Sequence, residues 1–296
     1  MSVNLVNHYV QQYSTNIQLL LQQKGSKLRD CVTMGSYVGK QASPVDQIGK
    51  VEMQTVTGRF NPMSRVDAPT DRRWVFPSDF DLPQLIDSFD KLRLITDPKS
   101  AYVQNAVMAA GRKFDALICA AFNGTAKTGE TGSTSTTATA GNEVDVAVGG
   151  SNSKLNVSKL REVKRLMMTN FIDFETEEAY IGITAADHDA LLGDIQVTSR
   201  DFNDKPVLVN GRVESFMGFT FKHCELIETV CAGTNEVTLP VWVKSGMHLG
   251  VWNDIQNTVS QRDDLQGLPW QLYTIMTAGA TRIEENKVYA IESYRA

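Results

Sequence analysis

Apolar residues near the start of the chain recur at spacings of four and three. Val6, Val10, Tyr13, Ile17 and Leu20 share one stripe, and Asn, Gln, Ser and Thr fill the opposite side. That pattern predicts an amphipathic helix. No Asp, Glu, Lys or Arg occurs between residues 2 and 23, so no ion pairs support it. A helix of this length is marginal alone in water and has to dock, either on its own core or on a neighbouring subunit. From residue 45 to 80 the period shortens. Two strand-like runs, VEMQTV and RRWVF, flank GRFNPMSRVDAPTD, which is dense in Gly, Pro, Asn and Asp. This predicts a long two-stranded excursion, and an isolated hairpin of that kind needs a covering neighbour.

The strongest local signal follows. Asp97-Pro98 opens a helix, with a side-chain acceptor at the cap and Pro in the first turn. Val103, Val107, Ala110, Phe114, Leu117 and Ala121 continue at helical spacing until Asn123-Gly124 ends the run. About 25 residues at about 1.5 Å each make a rod of roughly 37 Å, long enough to serve as a structural backbone.

Residues 125–143, TAKTGETGSTSTTATAGNE, hold no aromatic or large apolar side chain, and predict an exposed, mobile loop that adds nothing to a core. A second amphipathic helix then has Asn156 or Ser158 as cap and Leu160, Val163 and Met167 on one face. Beyond it come the strand AYIGIT, a helix through Leu191-Leu192, and the runs RVESFMGFTFKHCELI and VTLPVWV. The chain closes with a helix around 246–259 and the strands LPWQLYTIMTAGATRI and KVYAIESYRA, Asn286 marking the turn between them. Strands and helices mix without a regular βαβ period, which predicts an α+β fold. No internal repeat is visible.

Composition narrows the functional classes. The 296 residues can bury a large core; 42% are hydrophobic and 21% charged, and no apolar run approaches the roughly 20 residues of a membrane span. The first residues lack a basic segment followed by an apolar one, so nothing marks the chain for secretion and a cytoplasmic folding site is expected. A formal net charge of −5 argues against tight gripping of nucleic acid and suits a wall around DNA. Cys31, Cys119, Cys224 and Cys231 match no zinc or redox spacing, and free, buried thiols are expected.

Candidate chemistry is sparse. Gly35-Ser36-Tyr37-Val38-Gly39-Lys40 approaches a phosphate loop but is one residue short between its glycines, with Gln41 where Ser or Thr would hold magnesium. His8, His188, His223 and His248 are far apart, and the neighbours His223 and Cys224 would point to opposite faces of a strand. Asp173, Glu175, Glu177 and Glu178 lack the spacing of a calcium loop and predict a solvated acidic turn. Arg262 with Asp263-Asp264 predicts a charged edge suited to an inter-subunit ion pair. No catalytic residue, metal site or cofactor site is assigned, and the chain is not expected to be an enzyme.

The order of segments resembles the Hong Kong 97-type (Johnson) fold of the major capsid proteins of tailed phages and of encapsulin shells. The resemblance rests on RWVFPSDFDLPQLIDSFDKL, DPKSAYVQNAVMAAGRKFDALICAAFNGTA, AYIGITAADHDALLGD, VNGRVESFMGFTFKHCELI and GATRIEENKVYAIE. It covers nearly the whole chain through order and character more than through any invariant signature. It implies an N-terminal arm (1–44), an extended hairpin loop leading into a spine helix (45–96), a peripheral domain carrying that helix and the Gly/Ser/Thr-rich loop (97–175), an axial domain at the capsomer centre (176–265), and return strands to the peripheral domain (266–296). It further implies pentamers and hexamers that close into an icosahedral shell around a double-stranded DNA genome. The chain's partners would be itself, with scaffolding, portal and decoration proteins, no membrane, and DNA enclosed without sequence-specific binding. The setting would be the virion capsid, assembled in the bacterial cytoplasm. Val10, Tyr13 and Ile17 of the arm and Trp74 and Phe76 of the hairpin are the expected inter-subunit anchors, since large aromatic side chains dominate interface energetics. Some members of the family join a lysine to an asparagine; Lys50 and Lys91 lie near the hairpin, but no motif nominates either. An encapsulin-type compartment is the main alternative reading, ahead of a tail-tube protein or an unrecognised enzyme.

Overall fold

A computed structural model describes residues 21–40, 42–55, 58–59, 65–86, 99–150, 152–194, 197, 208–209 and 211–295. The arm residues Val10, Tyr13 and Ile17, and the Asp97-Pro98 helix opening, lie outside these. The first strands are β1 (Thr33–Ser36), β2 (Ala42–Ile48), β3 (Thr70–Val75) and β4 (Ser78–Ile86), followed by the long helix α1 (Lys99–Asn123). Short elements come next: β5 (Ala126–Thr128), β6 (Thr134–Thr136), β7 (Glu143–Val144), the helix α2 (Val157–Thr169), β8 (Ala179–Ile183) and α3 (Ala185–Leu192). Then follow β9 (Leu208–Val209), β10 (Arg212–Val213), β11 (Ser215–Phe216), β12 (Phe219–His223), α4 (Leu226–Val230), β13 (Glu236–Val243), β14 (Met247–Gln261), β15 (Trp270–Arg282) and β16 (Val288–Tyr294).

Three sheets organise these elements. One has the order β1-β14-β15-β4, a second β2-β3-β5-β6, and the largest β11-β12-β8-β13-β16-β7; β9 and β10 form a separate pair. Parallel pairings (β1 with β14, β8 with β12, β16 with β7) sit among antiparallel ones, which makes the fold α+β. The six-stranded sheet is the apolar centre. All of β8 is buried, and Trp242 of β13 lies 4.6 Å from the Phe122 ring of α1 and 5.8 Å from Tyr180. The Trp242 indole donates to the Cys31 carbonyl at 2.9 Å, so its one polar atom is satisfied in the core. All four cysteines are free and buried.

Helix α1 spans 25 residues and ends at Asn123, as its sequence predicts. Its buried stripe is Ala106, Ala110, Phe114, Ile118 and Phe122, with Cys119 beside it, whereas the expected Val107 faces out and Leu117 and Ala121 are half-buried. Helix α2 buries Leu160, Val163 and Met167 as expected, and Asn156, not Ser158, is its cap, accepting from the Lys159 N–H at 2.9 Å. Lys159 is also buried; its Nζ donates to the carbonyls of Ser153 and Glu292, and burial pulls its ammonium down to about 8.

Three expectations are corrected. The predicted helix around 246–259 is the strand β14, whose first residues are buried on both faces and whose last are exposed on both, so no period-two alternation marks it. VEMQTV is not a strand: residues 51–55 are irregular and solvent-facing, and β3 pairs instead with β2, further back in the chain. Residues 125–143 are not a bare loop. The β5–β6 hairpin joins β3, β7 joins β16, and Ala126 and Thr128 are buried, because small side chains can pack where a sheet edge closes over a helix end.

The segment leading out of the arm is pinned across α1. Asp115, fully buried, accepts from the Gln23 amide, the Ser26 hydroxyl and the backbone N–H groups of Lys27 and Leu28. One turn earlier, a Cβ on Gly111 would come within 2.6 Å of the Gly25 backbone, so only glycine admits this crossing. Replacing Asp115 with Ala strands these buried donors and is expected to lower stability by about 2–3 kcal/mol, read as a drop in the urea midpoint with an unchanged slope.

Candidate inter-subunit surfaces

Where the hairpin, the long helix and the sheets converge, charge is buried. Glu285, in the turn between β15 and β16, pairs with Arg73 of β3 and lies 3.8 Å from the guanidinium of Arg282, both arginines being almost inaccessible. Arg282 in turn donates to the Phe122 carbonyl at 2.6 Å and to those of Ala121 and Thr136 at 3.4 Å, satisfying the carbonyl end of α1. Asn142 donates to the carbonyls of Glu285 (2.7 Å) and Val288 (3.3 Å). These contacts hold the foot of the hairpin. Gly279 of β15 passes beneath the Phe76 carbonyl, where a Cβ would lie 2.2 Å away.

Beside this junction, His248 is fixed between two hydroxyls. Thr33 Oγ1 donates to the Met247 carbonyl (2.7 Å), which leaves it to accept from Nδ1–H of His248 (3.0 Å), while Nε2 accepts from the Tyr37 hydroxyl (2.9 Å). Burial pushes the imidazole down to about 4. A second clamp closes the C-terminal end. Asp187 of α3 accepts from Arg295, Ser293 and Thr184; burial alone would raise its carboxyl, and these bonds outweigh it and hold the carboxyl low.

Beyond these anchors the hairpin offers apolar surface. Ile48, Val51, Met53 and Val66 are exposed, as are Leu85 of β4 and Val259, Leu265 and Leu268 at the far end of the β14–β15 pair. Of the expected anchors, Trp74 is half-buried: its Nε1 donates to the Gly129 carbonyl at 2.7 Å, and its ring and that of Phe76 rest against Gly132. Phe76 is 41% exposed.

Phe171 was not foreseen. It follows α2 at the position where a helix usually ends in glycine, with φ +61°. Its N–H bonds the Met168 carbonyl and the Ile172 N–H bonds the Met167 carbonyl, both at 3.1 Å, the double closure of a Schellman turn. The ring is 89% exposed beside exposed Met168, with the Lys50 ammonium 6.0 Å from its centroid. A bulky residue in the left-handed region, presenting its ring to water, is an outlier that points to a use. The sequence carried only Asn170 as a stop signal.

The other singled-out residues fall apart in space. Gly35 to Lys40 runs off the end of β1 rather than into a helix. His188, His223 and His248 lie on α3, β12 and β14, and His8 is outside the described residues. Among the described residues no three His, Cys, Asp or Glu side chains could hold a metal, and no helix is long and apolar enough to cross a membrane. In the acidic turn, Glu177 reaches Lys287 and Ser245 and Glu178 accepts from the Tyr180 hydroxyl, while Asp173 and Glu175 are exposed. Arg262 forms a two-pronged pair with Asp264 of its own loop, at 2.6 and 2.7 Å.

The geometry is thus that of an α+β fold carrying exposed apolar surface on an extended hairpin. The model of the phage capsid protein family matches residues 5–294, and the chain belongs to that family. It is similar to the capsid of the cyanophage P-SCSP1u (13% identity, 100% of this chain and 95% of the other, TM-score 0.75). It also resembles the capsid of the cyanophage Pam1 (12%, 98% and 97%, TM-score 0.74) and of a native GTA particle (10%, 98% and 96%, TM-score 0.71). No curated protein matches it.

Two consequences are measurable. Glu285→Ala leaves two buried guanidinium groups without their carboxylate and is expected to cost about 3–5 kcal/mol, whereas Arg73→Met combined with Glu285→Leu recovers part of that loss in thermal melts. For His248 the folded value lies below the ordinary 6.5, so as pH falls the unfolded chain takes up the proton first. The stability present above pH 6.5 declines from there down to about 4. At roughly 1.4 kcal/mol per pH unit, wild type is expected to lose about 3 kcal/mol more over this window than His248→Asn.

Proposed function

We propose that this capsid protein is a major capsid subunit of the Hong Kong 97-like architecture, assembling into pentamers and hexamers of an icosahedral shell around a double-stranded DNA phage genome. The observation that carries this reading is the hairpin: firmly anchored through Arg73 and Glu285, it leaves Ile48, Val51 and Met53 facing solvent, a combination suited to lying across a neighbour. In this reading α1 is the spine helix, and the sheet β1-β14-β15-β4 with α1 forms the peripheral domain. The six-stranded sheet with α2, α3 and α4 forms the axial domain, α2 lying against β16 through Lys159 on the Glu292 carbonyl and Asn170 on the Tyr289 hydroxyl. That division replaces a boundary at 265/266, which would separate the paired strands β14 and β15.

Val10, Tyr13 and Ile17 of the arm and Trp74 and Phe76 of the hairpin remain the proposed anchors, and Met53 and Phe171 join them. Assembly would proceed in the host cytoplasm with a separate scaffolding protein. Negative-stain microscopy of the chain, expressed with and without candidate scaffold genes, tests the reading: closed shells or five- and six-membered rings are expected, and a monodisperse monomer under all conditions would overturn it.

Phe171→Gly separates anchoring from folding. Relief of the left-handed backbone is expected to stabilise the isolated subunit by about 1 kcal/mol, while loss of the ring lowers the yield of shells. A variant that is more stable and assembles as well as wild type would remove Phe171 from the interface.

A further inference from the structure

A cavity of about 540 Å³ opens between the segment leaving the arm and the corner formed by α3, β10 and β12. Its wall carries Lys27, Arg212 and Lys222 with His188 and His223, against one carboxylate, Glu214. This reverses the balance of a chain with 34 acidic and 29 basic residues. The cations are planted on fixed backbone. The Lys27 N–H is held by buried Asp115 at 2.9 Å, and Lys222 stands on β12 opposite Gly182 of β8, its ammonium 5.7 Å from the Tyr180 ring. Among the described residues no carboxylate forms an ion pair with either lysine; the pairs at this corner are Arg212 with Glu214 at 3.4 Å and His223 with Glu225 at 2.7 Å. His188 Nε2 accepts from the Val213 N–H at 3.3 Å, which leaves Nδ1 as its other polar atom at the cavity.

We propose that this cavity is a phosphate-binding pocket that holds the backbone of the packaged DNA against the wall. The inference rests on the shell reading above. The residue types favour phosphate over the carboxylates of an acidic protein segment. The cations without a carboxylate partner are two lysines, point charges that take a phosphate oxygen from many directions, while the one guanidinium that could grip a carboxylate in a fork is engaged with Glu214. Contacts of this kind position DNA without reading its sequence.

Fluorescence anisotropy of the full chain with a short random-sequence duplex, and separately with polyglutamate, over a range of salt concentrations tests the pocket. Lys27→Gln combined with Lys222→Gln is expected to lower the slope of log affinity against log salt by about 2, with Lys27→Arg/Lys222→Arg restoring it. An unchanged slope overturns the proposal, as does loss of polyglutamate binding with DNA binding intact, which would make the pocket a seat for an acidic protein. Should the glutamine variant fail to fold, acetylation of wild-type particles tests the same contacts. Lys27 and Lys222 are expected to be protected in DNA-filled relative to emptied particles, and equal reactivity overturns the pocket. Shell formation, scored by microscopy, falls on the assembly reading alone.

Discussion

Glu285 is the residue on which three parts of the molecule close. It lies between Arg73, which roots the hairpin, and Arg282, which satisfies the carbonyl end of the long helix. A buried ion cluster is a poor source of net stability, because desolvation offsets most of the attraction. What it supplies is uniqueness. A hairpin anchored only by apolar contacts could slide along the sheet by two residues and keep its pattern, whereas a carboxylate shared by two buried guanidinium groups admits one register. The direction in which the hairpin leaves the body is therefore set by charge, even though its exposed surface is apolar.

The same division of labour recurs at the other places where the chain leaves its core. The segment from the arm runs across α1 from Asn105 to Asp115, where Gly111 makes room and Asp115 collects the donors of residues 23–28. The C-terminal end is fixed by Arg295 and Ser293 on Asp187. In each case a buried carboxylate receives the backbone or side chains of a passing segment. Polar clamps of this kind tolerate no misplacement, since each unsatisfied partner costs its full desolvation.

Much of this was legible in the residues. The long helix, the capped α2 and the strands around Tyr180 and Trp242 follow from period and caps, because there local pattern and burial agree. The readings failed where they disagree. In β14, Met247 to Gly250 are covered on both faces and Thr258 to Gln261 on neither, so burial depends on which sheets lie nearby and not on alternation. The Thr-rich hairpin after α1 was discounted for want of large apolar side chains, yet Ala126 and Thr128 are buried where β5 pairs with β3. The clamps themselves were invisible. Nothing in the sequence ties Arg73 to the distant Arg282 and Glu285, and Asp115 reads as one polar position on an apolar helix.

Val51 and Met53 show how a failed reading can still be informative. Their alternation with Glu52 and Gln54 has the period of a half-buried strand, yet among the described residues both are exposed, Met53 fully. In the shell proposed above, such a surface would be covered by a neighbouring subunit. Phe171 carries the same message in backbone geometry. A left-handed phenylalanine with an exposed ring is unfavourable twice over in the isolated subunit, and either cost would be relieved by glycine. In the shell proposed above, a second subunit would supply the missing contacts and offset both costs.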